Sequence, residues 1–163
     1  MKLTELKQAK EFLPPEPYVQ NSRISVFLAG SIEMGKAEDW QTKVINDLKN
    51  FDVDILNPRR RDWDSSWEQS INNKQFSEQV NWELDSLIKS DVILLYLQPN
   101  TQSPISLLEL GLFADKNKVI VCCPNGFWRK GNVDIVCNRF DIPVFETLDE
   151  AVKELKKRFT TMV

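Results

Sequence analysis

The chain contains no histidine. That absence removes the usual neutral-pH general base, the Ser-His-Asp and Cys-His nucleophiles, and every histidine-ligated metal site. Acid–base work, if there is any, falls to Asp, Glu, Tyr, Lys or Cys. Cysteine is scarce as well. Three in 163 residues, with Cys122 and Cys123 adjacent, make a poor disulfide framework and predict buried thiols in a reducing compartment. The five glycines form neither Gly-x-x-x-x-Gly-Lys-Ser/Thr nor Gly-x-Gly-x-x-Gly, so a Walker-type phosphate loop and a dinucleotide fingerprint are both missing. No apolar run approaches the length of a membrane span, and Met1-Lys-Leu-Thr-Glu-Leu-Lys7 lacks the apolar core of a secretion signal. A cytoplasmic protein without a membrane partner is the expectation. Excess positive charge is absent too: a net charge of −3 argues against a nucleic-acid surface and points to a small metabolite.

What is present fits one globular domain, with 42% hydrophobic and 28% charged residues. That length buries a full core without staples. Five short apolar runs read as strands: 24–29, 53–56, 91–97, 118–123 and 142–145. Helical spacing alternates with them over 37–50, 69–90, from Ser103 through Ala114, and over 151–159, the last behind a Thr147-Leu-Asp-Glu150 capping pattern. Alternation of this kind predicts an α/β doubly wound, flavodoxin- or Rossmann-like domain with a mainly parallel five-stranded sheet flanked by helices. Residues 1–22 read as an N-terminal arm, a short helical piece to Phe12 followed by an extended Pro14-Pro15-Glu16-Pro17. Residues 23–163 read as the domain.

Three strand ends carry polar groups, and right-handed crossovers bring them to one edge of the sheet. Gly30-Ser31 follows the first strand. Glycine there lets backbone approach a ligand closely, or simply makes a βα turn. Arg59-Arg-Arg-Asp-Trp-Asp-Ser-Ser-Trp67 follows the second. It is either a solvated charged loop or a lid in which Trp63 or Trp67 stacks on an aromatic ligand and Arg59 and its neighbours face anionic groups. Ser103-Pro-Ile-Ser-Leu-Leu-Glu-Leu-Gly111 follows the third. Ser103 suits the N-cap and Pro104 the first helical position, which places Glu109 in the second turn as a candidate for chemistry. A helix starting at Ser106 would instead make Glu109 an ordinary capping-box residue. Glu83, eight residues before the third strand, is placed to meet Glu109 across a cleft. Two nearby carboxylates suit displacement at an anomeric carbon, one as nucleophile while another group manages the leaving group's proton.

Phe27-Leu-Ala-Gly-Ser-Ile32, Glu83-Leu-Asp-Ser-Leu-Ile-Lys-Ser-Asp91, Ser106-Leu-Leu-Glu-Leu-Gly111 and Phe127-Trp-Arg-Lys-Gly-Asn-Val133 carry a further signal. In their order and spacing, the segment 24–155 resembles the nucleoside 2-deoxyribosyltransferase family, especially its second branch, with similarity to 2′-deoxynucleoside 5′-monophosphate N-glycosidases. The resemblance implies that Glu109 is a nucleophile forming a covalent 2-deoxyribosyl ester. Glu83 falls where the family usually has an aspartate that orients and protonates the base. Ser103 stands where transferases acting on free nucleosides carry an acidic residue for the sugar 5′-hydroxyl. A neutral serine there resembles the monophosphate hydrolases, and a helix N-terminus with a hydroxyl would welcome a phosphate that a carboxylate would repel. Gly30 and Ser31 look like the same phosphate-side turn, Ser106 belongs to the substrate-binding set, and Arg129 and Lys130 would add positive charge. Asn132 resembles an asparagine lent to a neighbouring subunit's site, which implies a homo-oligomer; it also reads as a turn residue. No metal or organic cofactor is implied. Two rivals stay open: a non-catalytic nucleotide-binding sensor on the same scaffold, and an NAD- or ADP-ribose-type glycohydrolase.

Overall fold

The computed structural model describes residues 7–33 and 37–163. In chain order the elements are β1 (Lys10–Phe12), β2 (Ile24–Gly30), α1 (Trp40–Leu48), β3 (Val53–Leu56), α2 (Lys74–Lys89) and β4 (Val92–Tyr96). Then come α3 (Pro104–Phe113), a 3₁₀ turn (Ala114–Lys116), β5 (Val119–Cys122), α4 (Lys130–Arg139), β6 (Val144–Phe145) and α5 (Leu148–Thr161). The strands pair in the order β1-β3-β2-β4-β5-β6, every neighbour parallel. Strand side chains alternate between two buried layers. Phe27, Ala29, Ile93, Leu95 and Val121 share one with Trp82, Leu110, Phe113 and Val133 from α2, α3 and α4. Val26, Leu28, Val92, Leu94 and Ile120 share the other with Val44, Leu48, Val152 and Leu155 from α1 and α5. The domain is α/β and doubly wound.

The sheet has six strands rather than five, and the extra one comes from the arm. Lys10 and Phe12 lie in register with Asp54 and Leu56, so this piece is an edge strand and not helical. The cause is unmet backbone: β3 would otherwise present an unpaired edge, and the proline run that follows keeps the chain extended. The first six residues of the arm lie outside the described residues. The turn reading of Lys130-Gly-Asn132 is also corrected, because these residues open α4, a helix whose Gly131 and Asn132 hide a short buried face of Val133 and Cys137. At the last strand Pro143 has no N–H to give the ladder, and pairing covers only Val144 and Phe145. Thr147 caps α5 as expected, accepting from the Glu150 amide.

Asp54, on β3, ties residues 18–23 to the sheet. It is fully buried and accepts from the Tyr18 hydroxyl (2.9 Å), Asn21 Nδ2 (2.8 Å) and Arg23 Nε (2.7 Å). Arg23 also pairs with Asp52. A buried ion pair that loses one member leaves an uncompensated charge. Arg23→Ala is therefore expected to cost about 3 kcal/mol of unfolding free energy, read as a lowered urea midpoint. A loss below about 0.5 kcal/mol would mean that the pair behaves as a surface contact.

The topology fixes where a ligand fits. β2 neighbours β3 on one side and β4 on the other, and the chain leaves β2 toward α1 but leaves β4 toward α3, which lies on the opposite face. A crevice opens at the carboxyl ends of strands where connections diverge in this way. Gly30, in register with Tyr96, marks its floor. Its φ is +145°, and a Cβ there would come within 2.2 Å of the Tyr96 carbonyl oxygen and 2.9 Å of the Trp40 ring. Packing against β4 and α1 alone accounts for this glycine.

Candidate active site

Helix α3 begins at Pro104, whose missing N–H is harmless in a first turn. Glu109 therefore lies in the second turn, and Ser106 is inside the helix, which excludes the capping-box alternative. Ser106, Glu109, Leu110 and Phe113 face inward. Ser103 occupies the N-cap position but does not cap. Its backbone is left-handed (φ 48°, ψ 51°), and its hydroxyl bonds Ser31 Oγ at 2.6 Å and Thr101 Oγ1 at 2.9 Å.

Glu109 is 9% exposed, and its Oε2 is buried without a hydrogen-bond partner among the described residues. Burial pushes its carboxyl up to about 8, and the charge of Glu83 adds to the effect. Glu83, half-buried on α2, is itself pushed up to about 7 by burial, against a hydrogen bond from Gln79 Nε2 at 2.8 Å. Gln79 Nε2 also donates to the Pro58 carbonyl at 3.0 Å, so one amide ties the start of the 57–73 loop to the second carboxyl. The two glutamates thus titrate as a coupled pair that retains protons near neutrality. A buried carboxyl without partners costs folding free energy, and such groups concentrate at functional sites.

A second polar cluster sits at the N-terminal end of α3. Ser31 Oγ accepts from the Gln98 amide (3.0 Å) and bonds Thr101 Oγ1 (2.9 Å) and Ser103 Oγ, while Thr101 donates to the Gln98 carbonyl (2.8 Å). The hydroxyls largely satisfy one another. Glu33 closes the group, its Oε1 accepting from the Ser103 amide at 2.8 Å and lying 3.4 Å from Ser103 Oγ.

The other sequence candidates lie further out. Arg59 fastens the segment before α1, donating to the carbonyls of Ala37 (2.7 Å) and Glu38 (3.0 Å) and to Gln41 Oε1 (3.2 Å). Trp63 packs edge-on against Trp67 with ring centres 5.0 Å apart, and the Arg60 guanidinium covers Trp67. The Trp63 indole Nε1 is buried without a partner among the described residues. Asn132 is exposed in the first turn of α4. Among the described residues no hydrogen bond joins Arg129 or Lys130 to Ser31 or Ser103. Arg129 is exposed over the Trp128 ring, and Lys130 is held by Asp134, Glu146 and the Cys123 carbonyl. Three residues were missed from sequence. Gln79 had a signal, lying one helical turn before Glu83. Glu33 and Thr101 had none. Two cavities, of about 280 and 200 Å³, are lined by residues such as Arg59 to Arg61 and by Glu38, Trp40 and Tyr96, and neither contains the glutamate pair.

The site thus brings together a buried carboxyl on α3, a second raised carboxyl on α2, and a cluster of hydroxyls at the N-terminal end of α3. No donor cluster suited to a metal ion occurs among the described residues. No curated protein sequence matches the chain. In shape it is similar to a crystal structure of a conserved protein from Enterococcus faecalis V583, with a TM-score of 0.60 and 12% identity over 84% of this chain and 99% of that one. At that identity the likeness concerns the fold. A family model described as nucleoside 2-deoxyribosyltransferase-like matches residues 23–127, the span that holds Ser31, Glu83, Ser103 and Glu109, and the chain belongs to that family.

Proposed function

We propose that the protein cleaves or transfers the N-glycosidic bond of a 2′-deoxynucleoside, or of its 5′-monophosphate, by double displacement at C1′. The observation that carries this reading is the buried, unpartnered Glu109 carboxyl beside a second proton-holding carboxyl. In the first step the Glu109 carboxylate forms a C1′–O bond as the N-glycosidic bond breaks. The electron pair goes to the base nitrogen, which takes a proton from Glu83. In the second step a second base or water attacks C1′, Glu109 leaves as a carboxylate, and Glu83 recovers a proton. Gln79 supports Glu83 from one helical turn away, which suits a glutamate longer than the family's usual aspartate. Ser103 and Glu109 are about 9 Å apart along the helix axis. The test is incubation of 2′-deoxynucleosides, their monophosphates and NAD, with and without acceptor bases. Free base from the deoxy substrates supports the reading; nicotinamide alone would favour a glycohydrolase.

A second copy of the chain is the proposed partner. Ile105, Leu108 and Leu112, 58%, 59% and 48% exposed, form an apolar stripe on the outer face of α3, directly behind Glu109. Trp128 joins this surface through its indole, which donates to the Gln102 carbonyl at 3.0 Å, and Asn132 is exposed nearby in sequence on α4. Leu108→Asp is expected to lower the mass in solution by light scattering and to reduce base release with it. An unchanged mass would place the stripe outside any interface.

A further inference from the structure

Gln79 is buried on α2, and its side-chain nitrogen donates to two acceptors, the Pro58 carbonyl at 3.0 Å and Glu83 Oε1 at 2.8 Å. A carbonyl only accepts, so the nitrogen is fixed on that side and the amide cannot be turned over. Its own Oε1 is left buried without a hydrogen-bond partner among the described residues. Burying an unpaired amide oxygen costs free energy that an apolar side chain of similar size would not, so stability does not explain the residue. What the amide does is distinguish the two oxygens of Glu83. Oε1 takes the N–H, whereas Oε2 of this half-buried carboxyl takes no hydrogen bond among the described residues.

We infer that Gln79 is a positioning residue that holds the proton of neutral Glu83 on Oε2, the oxygen left to meet a leaving base. The inference rests on the reading of Glu83 as the acid of the glycosyl transfer. In a neutral carboxyl the carbonyl oxygen is the better acceptor, so an N–H at Oε1 leaves the O–H at Oε2. As the base departs, the Oε2–H bond breaks, its electron pair stays on Glu83, and the base nitrogen gains the proton. The bond from Gln79 becomes charge-assisted as this happens, and it strengthens. A gain made in the transition state and not in the ground state is the kind that raises kcat. The same bond holds Glu83 below the level that burial alone would set, and no cation among the described residues does so. Glu109 is the charged group coupled to it. Through Pro58 the arrangement also depends on the start of the 57–73 loop.

The experiment uses Gln79→Met, which keeps the length without the donor, and Gln79→Asn, which withdraws the amide by one methylene. Two substrates are compared: a 2′-deoxynucleoside, whose base leaves with a proton, and 4-nitrophenyl 2-deoxyribofuranoside, whose leaving group needs none. Gln79→Met should lower kcat for the nucleoside about thirtyfold with KM little changed, and kcat for the nitrophenyl glycoside less than about threefold. Gln79→Asn should lie between Gln79→Met and wild type. The alkaline limb of kcat/KM should move upward in Gln79→Met, because the carboxylate form of Glu83 has lost its donor. A merely structural tie to Pro58 would slow both substrates equally and leave that limb in place, and either result overturns the inference. A second arm follows the Glu83 carboxyl by carbon NMR in Glu109→Gln, with and without Gln79→Met, where it titrates without its partner. If wild type releases no base but Gln79→Met shifts this titration upward, the glycosyl-transfer reading fails while the hold of Gln79 on Glu83 stands. An unchanged titration overturns the inference whatever the activity.

Discussion

Glu109→Ala and Glu109→Gln should abolish base release, by roughly a thousandfold or more, as removal of a nucleophile does elsewhere. They should do so without loss of fold. Glu109 sits at 9% exposure with one oxygen unpartnered, so the carboxyl contributes no hydrogen bond at that atom that the substitution would break. The stability effect has a definite sign. The Glu109 carboxyl titrates near 8 in the folded chain against an ordinary 4.5, so the folded state holds a proton that the unfolded state has released. Stability from that proton is complete below about 4.5 and is lost as pH rises toward 8. Glu109→Gln removes this loss and should raise stability at pH 8 relative to pH 5 by about 3 kcal/mol, measured by urea unfolding at both pH values. A group kept for function at the expense of stability gives both results together. An inactive variant that is also destabilised at both pH values would indicate that the side chain is structural.

The second large effect is on pH dependence. The proposed reaction needs Glu109 ionised and Glu83 protonated, yet in the free protein burial pushes Glu83 up to about 7 and Glu109 up to about 8. The productive arrangement is therefore a minority form of the singly protonated pair, and kcat/KM should follow a narrow bell centred between about 7 and 8. Glu83→Gln should remove the alkaline limb, because its amide has no proton to lose. The acidic limb should stay in place or move slightly upward, because it then reports Glu109 alone, whose neighbour already carries no charge on that limb in wild type. The rate should fall about a hundredfold for bases that leave poorly without a proton. The check is a pH–rate profile from pH 5 to 9 for both proteins. A Glu83→Gln profile with both limbs intact would assign the proton to another group.

Legibility in the sequence followed the physics of each element. Continuous apolar runs at 24–29 and 91–97 were plain because parallel strands buried on both faces need them, and Pro104 fixed the start of α3 well enough to place Glu109. The edge strand Lys10–Phe12 was not legible. Its cause lies in the unpaired flank of β3, forty residues on, and three residues carry no pattern of their own. Helix α4 was hidden by Gly131 and Asn132 in its first turn, poor helix formers tolerated because Val133 and Cys137 reach the core. In the site, the pairing of Glu83 with Glu109 was inferred from topology. Glu33 was invisible because its partner, the Ser103 amide, is a backbone group seventy residues away. For a related reason the sequence shows the charge of Lys130 but not the Asp134 and Glu146 that pair with it.

The central claim is that Glu109 carries the sugar. It is tested most directly by incubation with a 2-deoxy-2-fluoro nucleoside, whose electron-poor sugar slows breakdown of an ester at C1′ more than its accumulation, followed by peptide mass analysis. The expected result is one added fluorodeoxyribosyl mass on the peptide containing Glu109 in wild type, absent from Glu109→Gln and lost when an acceptor base is supplied. Base release by wild type with no adduct at Glu109, or with an adduct on another residue, would contradict the account.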